Sequence, residues 1–190
     1  MHVQQQLARR LLSLVGWRSE GTPPEPHRFV LIAAHHTSNW DLPLMLLMAM
    51  QHRVSIHWLG KQELFRGPMG WVLRQLGGVP VDRAKPSQLV ANLAGLFAER
   101  TQFVLAVPPE GTRSHSDHWK SGFHRIAEAA GVPIVCSYLD YSTKVGGFGP
   151  QIVPSGDRSG DMDQIRAFYA DKRGRYPDQA SEIRLRDETR

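Results

Sequence analysis

Short apolar runs that predict buried strands alternate along this chain with segments of helical periodicity, and this alternation constrains the fold more than any other feature. The runs are rich in β-branched and aromatic residues, whereas the helical segments repeat apolar residues every three or four positions. Strands are predicted at residues 29–34, 54–59, 79–81, 103–107 and 133–138, and helices at residues 3–17, 42–50, 67–76, 86–100, 120–130 and 161–173. The alternation predicts an α/β fold with a mostly parallel central sheet flanked by helices on both faces.

The ends of the chain are less regular than its middle. Residues 1–20 are predicted to form an N-terminal amphipathic helix, and residues 27–175 to form one α/β domain. Residues 146–150 are rich in glycine and are predicted as a turn between two final strands. Residues 176–190 are predicted to be a charged C-terminal tail that is loosely held.

Composition indicates which cellular compartment and which kinds of partner suit this chain. Cys136 is the single cysteine, so no intrachain disulfide can form, and we expect a buried thiol in a reducing compartment. No apolar run approaches the roughly 18 residues of a membrane span, and no signal-peptide pattern precedes the domain, so we expect a soluble or peripheral protein. The formal charge of +5 arises before Asp157, since acidic and basic residues balance after it. An anionic membrane surface, a phosphorylated substrate, an acidic carrier protein or nucleic acid would suit this charge.

His36 and Asp41 lie between the first long predicted strand and the helix that follows it. Pro43 is tolerated only in a first helical turn, so Asp41 is expected at the start of that helix and His36 in the loop before it. The carboxylate can then accept the Nδ1–H of the imidazole and leave Nε2 free to deprotonate a hydroxyl. The alternative is structural: Ser38 and Asp41 also match a capping box, in which Asp41 only caps the helix.

Three polar segments each follow a predicted strand, at residues 36–41, 82–83 and 110–114. The carboxyl ends of parallel strands share one edge of a sheet, and ligands of such folds collect there. We therefore expect these three segments to converge on one site.

Cationic side chains near these segments predict a site for a phosphate group. Guanidinium groups bind phosphate oxygens bidentately, and glycine lets backbone N–H groups approach the same anion. The candidates are Arg83, Arg113, Lys61, Lys120 and Gly111, and Glu110 is expected to orient Arg113. Together with a histidine base, these groups suit transfer to a hydroxyl on a phosphorylated substrate.

Signatures of several other enzyme classes are missing from the sequence. It contains no Gly-x-Ser-x-Gly elbow, no Walker loop and no Gly-x-Gly-x-x-Gly segment. Histidines occur in pairs at positions 35–36 and 115–118, but the second pair lies in a polar loop and lacks a third ligand at a recognisable spacing, so no metal site is predicted. Without a nucleophile, direct attack by the acceptor hydroxyl is the simpler mechanism.

Five segments within residues 36–135 resemble, in order, the glycerolipid and lysophospholipid acyltransferase family, of the 1-acyl-glycerol-3-phosphate acyltransferase type. The pattern His36-(x)4-Asp41 is similar to the catalytic motif of that family, residues 77–83 (GGVPVDR) to its second block and residues 110–114 (EGTRS) to its third. Residues 132–135 (VPIV) resemble the fourth block, and residues 119–123 (WKSGF) resemble the Lys-x-Gly segment that commonly follows the third.

This resemblance implies a glycerol-3-phosphate acyltransferase-like fold and an O-acyltransferase. It implies that His36, oriented by Asp41, deprotonates a hydroxyl of a lysophospholipid or glycerol-phosphate-type acceptor, which then attacks an acyl thioester. It also implies an acceptor-phosphate site formed by Arg83, Glu110, Gly111, Thr112 and Arg113. The expected donor is acyl-CoA or an acyl carrier protein, with no metal or bound cofactor. The expected location is the cytoplasmic face of the membrane, as a peripheral protein.

The sequence departs from the family at Pro80 and Pro108, where relatives more often carry an aromatic or aliphatic residue, and it lacks hydrophobic N-terminal spans. Membrane access is then expected to depend on the helix at residues 3–17 and on a second set of apolar residues, namely Leu64, Phe65, Met69 and Trp71. Those four residues are equally compatible with a place in the core. A non-catalytic lipid-binding protein with the same fold and a metal-dependent hydrolase remain alternatives. Nucleic-acid binding is not expected, since no recognised motif accompanies the positive charge.

Overall fold

A computed structural model describes residues 3–81 and 86–188 of the chain. Its helices are α1 (Val3–Leu14), α2 (Asp41–His52), α3 (Gly67–Gln75), α4 (Pro86–Glu99), α5 (Gly122–Ala130) and α6 (Arg158–Tyr169). Its strands are β1 (Arg18–Glu20), β2 (Arg28–Ala34), β3 (Ile56–Lys61), β4 (Gly78–Val81), β5 (Phe103–Val107), β6 (Ile134–Asp140) and β7 (Val145–Ile152). Short 3-10 turns occupy Gln62–Phe65 and Pro177–Gln179. Every helix predicted from the sequence is present, with ends that differ by a few residues.

The strands form one sheet in the order β1-β7-β6-β2-β5-β3-β4. Neighbouring strands pair in parallel except β6 and β7, which are antiparallel. Strand β2 is central, with Val30 opposite Leu105 of β5 and Ile134 of β6. Strand β4 lies at an edge, which suits Pro80, because proline has no backbone N–H to donate to a neighbouring strand. The predicted single α/β domain with a mostly parallel sheet is confirmed.

The two faces of the sheet are covered by different helices. Val30 and Ile32 of β2 belong to a buried cluster with α4, α5 and α6, whereas Phe29 and Leu31 belong to a cluster with α2. Helix α1 packs on α2 through Leu12, and α1, α2 and α3 line one groove on that side of the sheet. Because helices cover both faces of the central strands, ligands reach the sheet at the strand ends.

The turn predicted at residues 146–150 is wrong, since these residues lie inside β7. Their glycines meet a packing requirement: a Cβ on Gly147 would lie 1.9 Å from the Glu20 carbonyl oxygen of β1. The chain reverses earlier, where the Asp140 carboxylate accepts hydrogen bonds from the Ser142 N–H at 3.0 Å and the Thr143 hydroxyl at 2.8 Å. A glycine-rich run thus marks close strand packing here rather than a turn.

Strand β1 was not predicted. It has three residues, and it pairs in parallel with β7 from Arg18 opposite Val145 to Glu20 opposite Gly147. A polar run of that length carries no periodic signal, so only the edge offered by β7 makes it a strand.

The expectation of a loosely held segment at residues 176–190 is also wrong for its described part. Leu185 is 1% exposed, and it forms an isolated parallel bridge with Trp119. The Glu188 carboxylate accepts hydrogen bonds from Arg166 of α6 at 2.7 and 3.2 Å and from the Leu185 N–H at 2.9 Å. Charged residues here anchor the segment instead of solvating it.

Among the helices of residues 3–81 and 86–188, none has the length and apolar character needed to cross a membrane.

Candidate active site

His36 and Asp41 meet at the carboxyl end of β2. Asp41 is the first residue of α2, and its Oδ2 lies 3.0 Å from His36 Nδ1. The same oxygen accepts the backbone N–H groups of Thr37 at 3.0 Å and Ser38 at 2.9 Å. Asp41 therefore orients the imidazole and also holds the loop before the helix. The orienting role and the capping role that the sequence offers as alternatives thus belong to the same carboxylate. Its negative charge at a helix N-terminus is favourable.

Tyr141 is a contact of this pair that the sequence did not reveal. Its hydroxyl donates to Asp41 Oδ1 at 2.7 Å, across a separation of 100 residues. Burial, and then the neighbouring Asp41 carboxylate, raise the pKa of the Tyr141 hydroxyl, so it stays protonated and donates. No motif marks this residue, because the contact depends on where the reversal after β6 places it.

Glu110 holds the loop that contains His36 through a hydrogen bond to its backbone. Its side chain is 2% exposed, and its Oε1 accepts the backbone N–H of His36 at 3.2 Å. His35 Nδ1 lies 3.8 Å from the same oxygen. Burial raises the pKa of Glu110 to about 7, and burial followed by the charge of Arg173 lowers the pKa of His35.

The predicted role of Glu110 in orienting Arg113 is not seen. Within the described parts of the chain, no hydrogen bond or ion pair joins the two side chains, and Glu110 Oε2 is buried without a hydrogen-bond partner. A turn closed by the Gly111 N–H and the Pro108 carbonyl, at 3.2 Å, directs Glu110 inward and leaves Arg113 exposed.

The other predicted binding residues fall into three groups. Lys61, Gly111, Thr112 and Arg113 line the same cavity as His36. Lys120 does not line it, but its side chain covers Gly111: a Cβ on that glycine, whose φ is +65°, would lie 2.8 Å from Lys120 Nζ. Arg83 lies outside the described residues. Two of the three polar segments predicted to converge are thus placed together.

The cavity at the carboxyl edge of the sheet has a volume of about 650 Å³. His36 lines it with a side chain that is 21% exposed. Beyond the histidine its wall is largely apolar and includes Leu31, Met45, Met48, Ile56, Trp58, Leu73 and Phe148. A volume of this size with few polar groups suits a mostly apolar ligand whose reacting end lies at the histidine.

Most of the exposed large apolar side chains lie on or next to α1 and α3, two helices that line one groove, and we call this set the apolar side. Apart from Val153 and Tyr176, the large hydrophobic residues that are exposed in the described chain belong to α1 and its end, to Trp40, or to the stretch from Leu64 to Leu76. Of the four residues left undecided by the sequence, Leu64, Met69 and Trp71 are 51, 65 and 66% exposed, whereas Phe65 is buried. Leu64 also lines the cavity, so this apolar side continues into it.

A second histidine–aspartate pair lies away from the cavity. His124 Nε2 of α5 is 2.8 Å from Asp161 Oδ2 of α6, and both side chains are 1% exposed. Among the described residues, no group of three or more histidine, cysteine, aspartate or glutamate side chains could hold a metal ion.

Three comparisons with known proteins all match this chain to acyltransferases. The family model described as Acyltransferase matches residues 18–139. A Streptococcus pneumoniae protein named 1-acyl-sn-glycerol-3-phosphate acyltransferase is 30% identical over 137 residues, which are 67% of this chain and 50% of that protein. The chain thus spans half the length of this curated relative. The crystal structure of the 1-acyl-sn-glycerophosphate (LPA) acyltransferase PlsC from Thermotoga maritima superposes with a TM-score of 0.56 at 19% identity, over 87% of this chain and 73% of that one, and it supports the fold.

Proposed function

Because this chain belongs to the acyltransferase family, we propose that it transfers a fatty acyl group from a thioester to a hydroxyl of a 1-acyl-glycerol-3-phosphate-type lipid. One observation carries the proposal: a histidine oriented by a buried carboxylate stands at the polar end of an apolar cavity. The names of the Streptococcus pneumoniae and Thermotoga maritima proteins support this choice of acceptor.

The reaction needs one base and no covalent enzyme intermediate. His36 Nε2 removes the proton of the acceptor hydroxyl, and the oxygen attacks the thioester carbonyl carbon. Asp41 stabilises the imidazolium that forms. The tetrahedral intermediate then expels the thiolate, which takes the proton back from His36, so an ester and a thiol are released. A base of this kind contributes about 10²- to 10⁴-fold in rate.

The apolar and polar parts of the cavity suit different parts of the substrates. The acyl chain lies along the apolar wall, where burial of each methylene contributes about 0.8 kcal/mol. Lys61, Thr112 and Arg113 are near the histidine and are assigned to the acceptor phosphate, as is Arg83 on the resemblance of its motif. Lys120 acts through its position over Gly111, and Glu110 through its bond to the His36 N–H.

The exposed apolar side is the surface that we assign to the membrane. It reaches the cavity at Leu64, and its cations, which include Arg9, Arg10 and Arg66, favour anionic lipid. The acyl donor is acyl-CoA or an acyl carrier protein, which places the reaction on the cytoplasmic face. No bound cofactor or metal enters this mechanism.

The direct test measures thiol release from acyl-CoA and acyl carrier protein donors, with lyso-glycerolipid acceptors on anionic vesicles. We expect acceptor-dependent release that His36→Ala abolishes without a change in melting temperature. His27→Gln is the matched control, because His27 precedes the other end of β2 and pairs with Glu25 at 2.9 Å. Vesicle binding without thiol release for any donor and acceptor would instead establish a non-catalytic lipid-binding protein.

A further inference from the structure

We propose that Tyr141 is a positioning residue, which holds the Asp41 carboxylate in the orientation that serves His36. This inference rests on the proposed acyl transfer. Tyr141 follows β6 and lies outside residues 18–139, the part of the chain that the family model matches. It does not line the cavity, so it acts through Asp41 and not on substrate.

The two oxygens of Asp41 have separate partners. Oδ2 receives the His36 imidazole and the Thr37 and Ser38 backbone N–H groups, at 2.9–3.0 Å. Oδ1 receives the Tyr141 hydroxyl at 2.7 Å, and no other donor to Oδ1 is found among the described residues. A single donor on the second oxygen opposes rotation about the Cβ–Cγ bond, which would otherwise exchange the oxygen that faces the imidazole. The tyrosine thus fixes which oxygen the histidine meets.

Tyr141 is itself held from two directions. Its ring meets the ring of Trp17, just after α1, edge to face, with centroids 4.9 Å apart and an interplanar angle of 84°. Its backbone N–H donates to the carbonyl of Arg173, after α6, at 2.9 Å. A ring fixed at its edge and at its backbone presents the hydroxyl in one direction, as a positioning role requires.

The charges around the pair set the direction of the expected effect. Glu110 faces the pair from the loop after β5, Arg175 acts on Tyr141 from the segment after α6, and His36 is the hydrogen-bonded partner of Asp41. A neutral donor on Oδ1 reduces the negative charge that the imidazole experiences. Without the donor, the full charge of the Asp41 carboxylate faces the imidazole, so the acid limb of the pH–rate profile is expected to move to higher pH.

The test compares Tyr141→Phe with Tyr176→Phe. Both remove one phenolic hydroxyl, and Tyr176 is close to the same loop because its backbone N–H donates to Thr37 Oγ1 at 3.2 Å. For Tyr141→Phe we expect kcat to fall about tenfold, KM to change less than about twofold, and the acid limb of the pH–rate profile to move up by roughly half a unit. Tyr176→Phe should match the wild type in all three.

A second readout does not depend on turnover. The proton of the His36–Asp41 hydrogen bond is observed by NMR and assigned from its loss in His36→Ala, with the buried His124–Asp161 proton as an internal reference. Tyr141→Phe should shift the His36 resonance and leave the reference unchanged. The inference is overturned if Tyr141→Phe keeps the wild-type resonance and pH profile, or if Tyr176→Phe changes them equally.

Two further outcomes separate this inference from the proposed function. An active His36→Ala enzyme would refute acyl transfer by this base, and the His36 resonance would still report on the Tyr141 contact. If melting shows that Tyr141→Phe does not fold, Trp17→Leu replaces it, since it keeps the hydroxyl and frees the ring. A shifted His36 resonance in that variant supports the inference, and an unchanged one overturns it.

Discussion

The two histidine–aspartate pairs of this protein have the same chemical groups in very different surroundings. The His124–Asp161 pair is closed: both side chains are 1% exposed, and the Ser155 hydroxyl also donates to Asp161, at 2.8 Å. The carboxylate of the His36–Asp41 pair is also buried, at 6% exposure, but its imidazole opens into the cavity. A hydrogen-bonded pair therefore does not make an active site. A pair of this kind can act on a substrate only where a second reactant can reach the imidazole.

The difference follows from where the chain places each histidine. His124 lies within α5 and faces α6, so its pair joins two helices that cover one face of the sheet. His36 lies in a loop at the carboxyl end of the central strand, where helices leave the sheet open. One pair stabilises the layer of helices, and the other is available to substrate.

The largest expected effect tests the open pair. His36→Gln should lower the rate of acyl transfer by about 10²- to 10⁴-fold, since it removes the proposed base and leaves the cavity in place. Thiol release and thermal melting, measured on the same preparation, check this expectation. Loss of activity together with a large fall in melting temperature would mean that this pair, too, is mainly structural.

The closed pair should show the opposite behaviour. Asp161→Ala leaves the Nε2 of His124 buried without its partner, so the free energy of unfolding should fall by about 3–5 kcal/mol. Specific activity should be retained at a temperature where the variant is folded. Urea denaturation gives the first quantity, and a kcat that falls tenfold in fully folded protein would contradict the distinction between the pairs.

Glu110, which accepts the backbone N–H of His36, should make the stability of the protein depend on pH. Between its ordinary pKa of 4.5 and its raised value of about 7, the unfolded chain has lost this proton while the native protein retains it. The contribution of Glu110 to stability therefore falls as pH rises through this window. Glu110→Gln, which does not ionise, should gain up to about 3 kcal/mol relative to the wild type between pH 4.5 and pH 8.

Urea unfolding at both pH values measures that gain, with Glu99→Gln as an exposed control. A difference between Glu110→Gln and the wild type that stays constant with pH would show that folding does not raise the pKa of Glu110.

The smallest expected effect concerns the binding of the protein to a lipid membrane. Trp71→Ser removes a side chain that is 66% exposed on α3, the helix whose Leu73 lines the cavity, and it should weaken binding to anionic vesicles about five- to tenfold. Val153→Ser, which removes an equally exposed residue outside the apolar side, is the matched control. Vesicle sedimentation compares them. Equal losses would assign the membrane surface elsewhere.

Local sequence pattern predicted the parts of the molecule that depend on neighbours in the chain. The strand at residues 103–107 has the predicted bounds, and Pro43 placed Asp41 at the start of α2. The contact between His36 and Asp41 spans five positions and was accessible to the same reasoning.

Features that depend on the assembled sheet were not predictable in this way. The glycine-rich run around Gly147 predicts a turn, because the group that requires a glycine there, the Glu20 carbonyl of β1, is distant in the sequence. The Tyr141 contact spans 100 residues, and Leu185 is buried by Trp119, which lies far earlier in the chain. The predicted direction of Glu110 was wrong because the turn at residues 108–111 decides it, and no side-chain pattern reports that turn.

The pairing of β1 with β7 has a consequence for synthesis of the protein. Glu20 emerges from the ribosome about 125 residues before Val145, and at about 5–20 residues per second the delay is roughly 6–25 s. During that time β1 has no edge to join, and Trp17 has no tyrosine ring to contact. The histidine and aspartate are therefore already made when the residue that steadies them is still to be translated. Nascent chains that stop before residue 141 carry His36 and Asp41 without the tyrosine that contacts Asp41 in the finished protein.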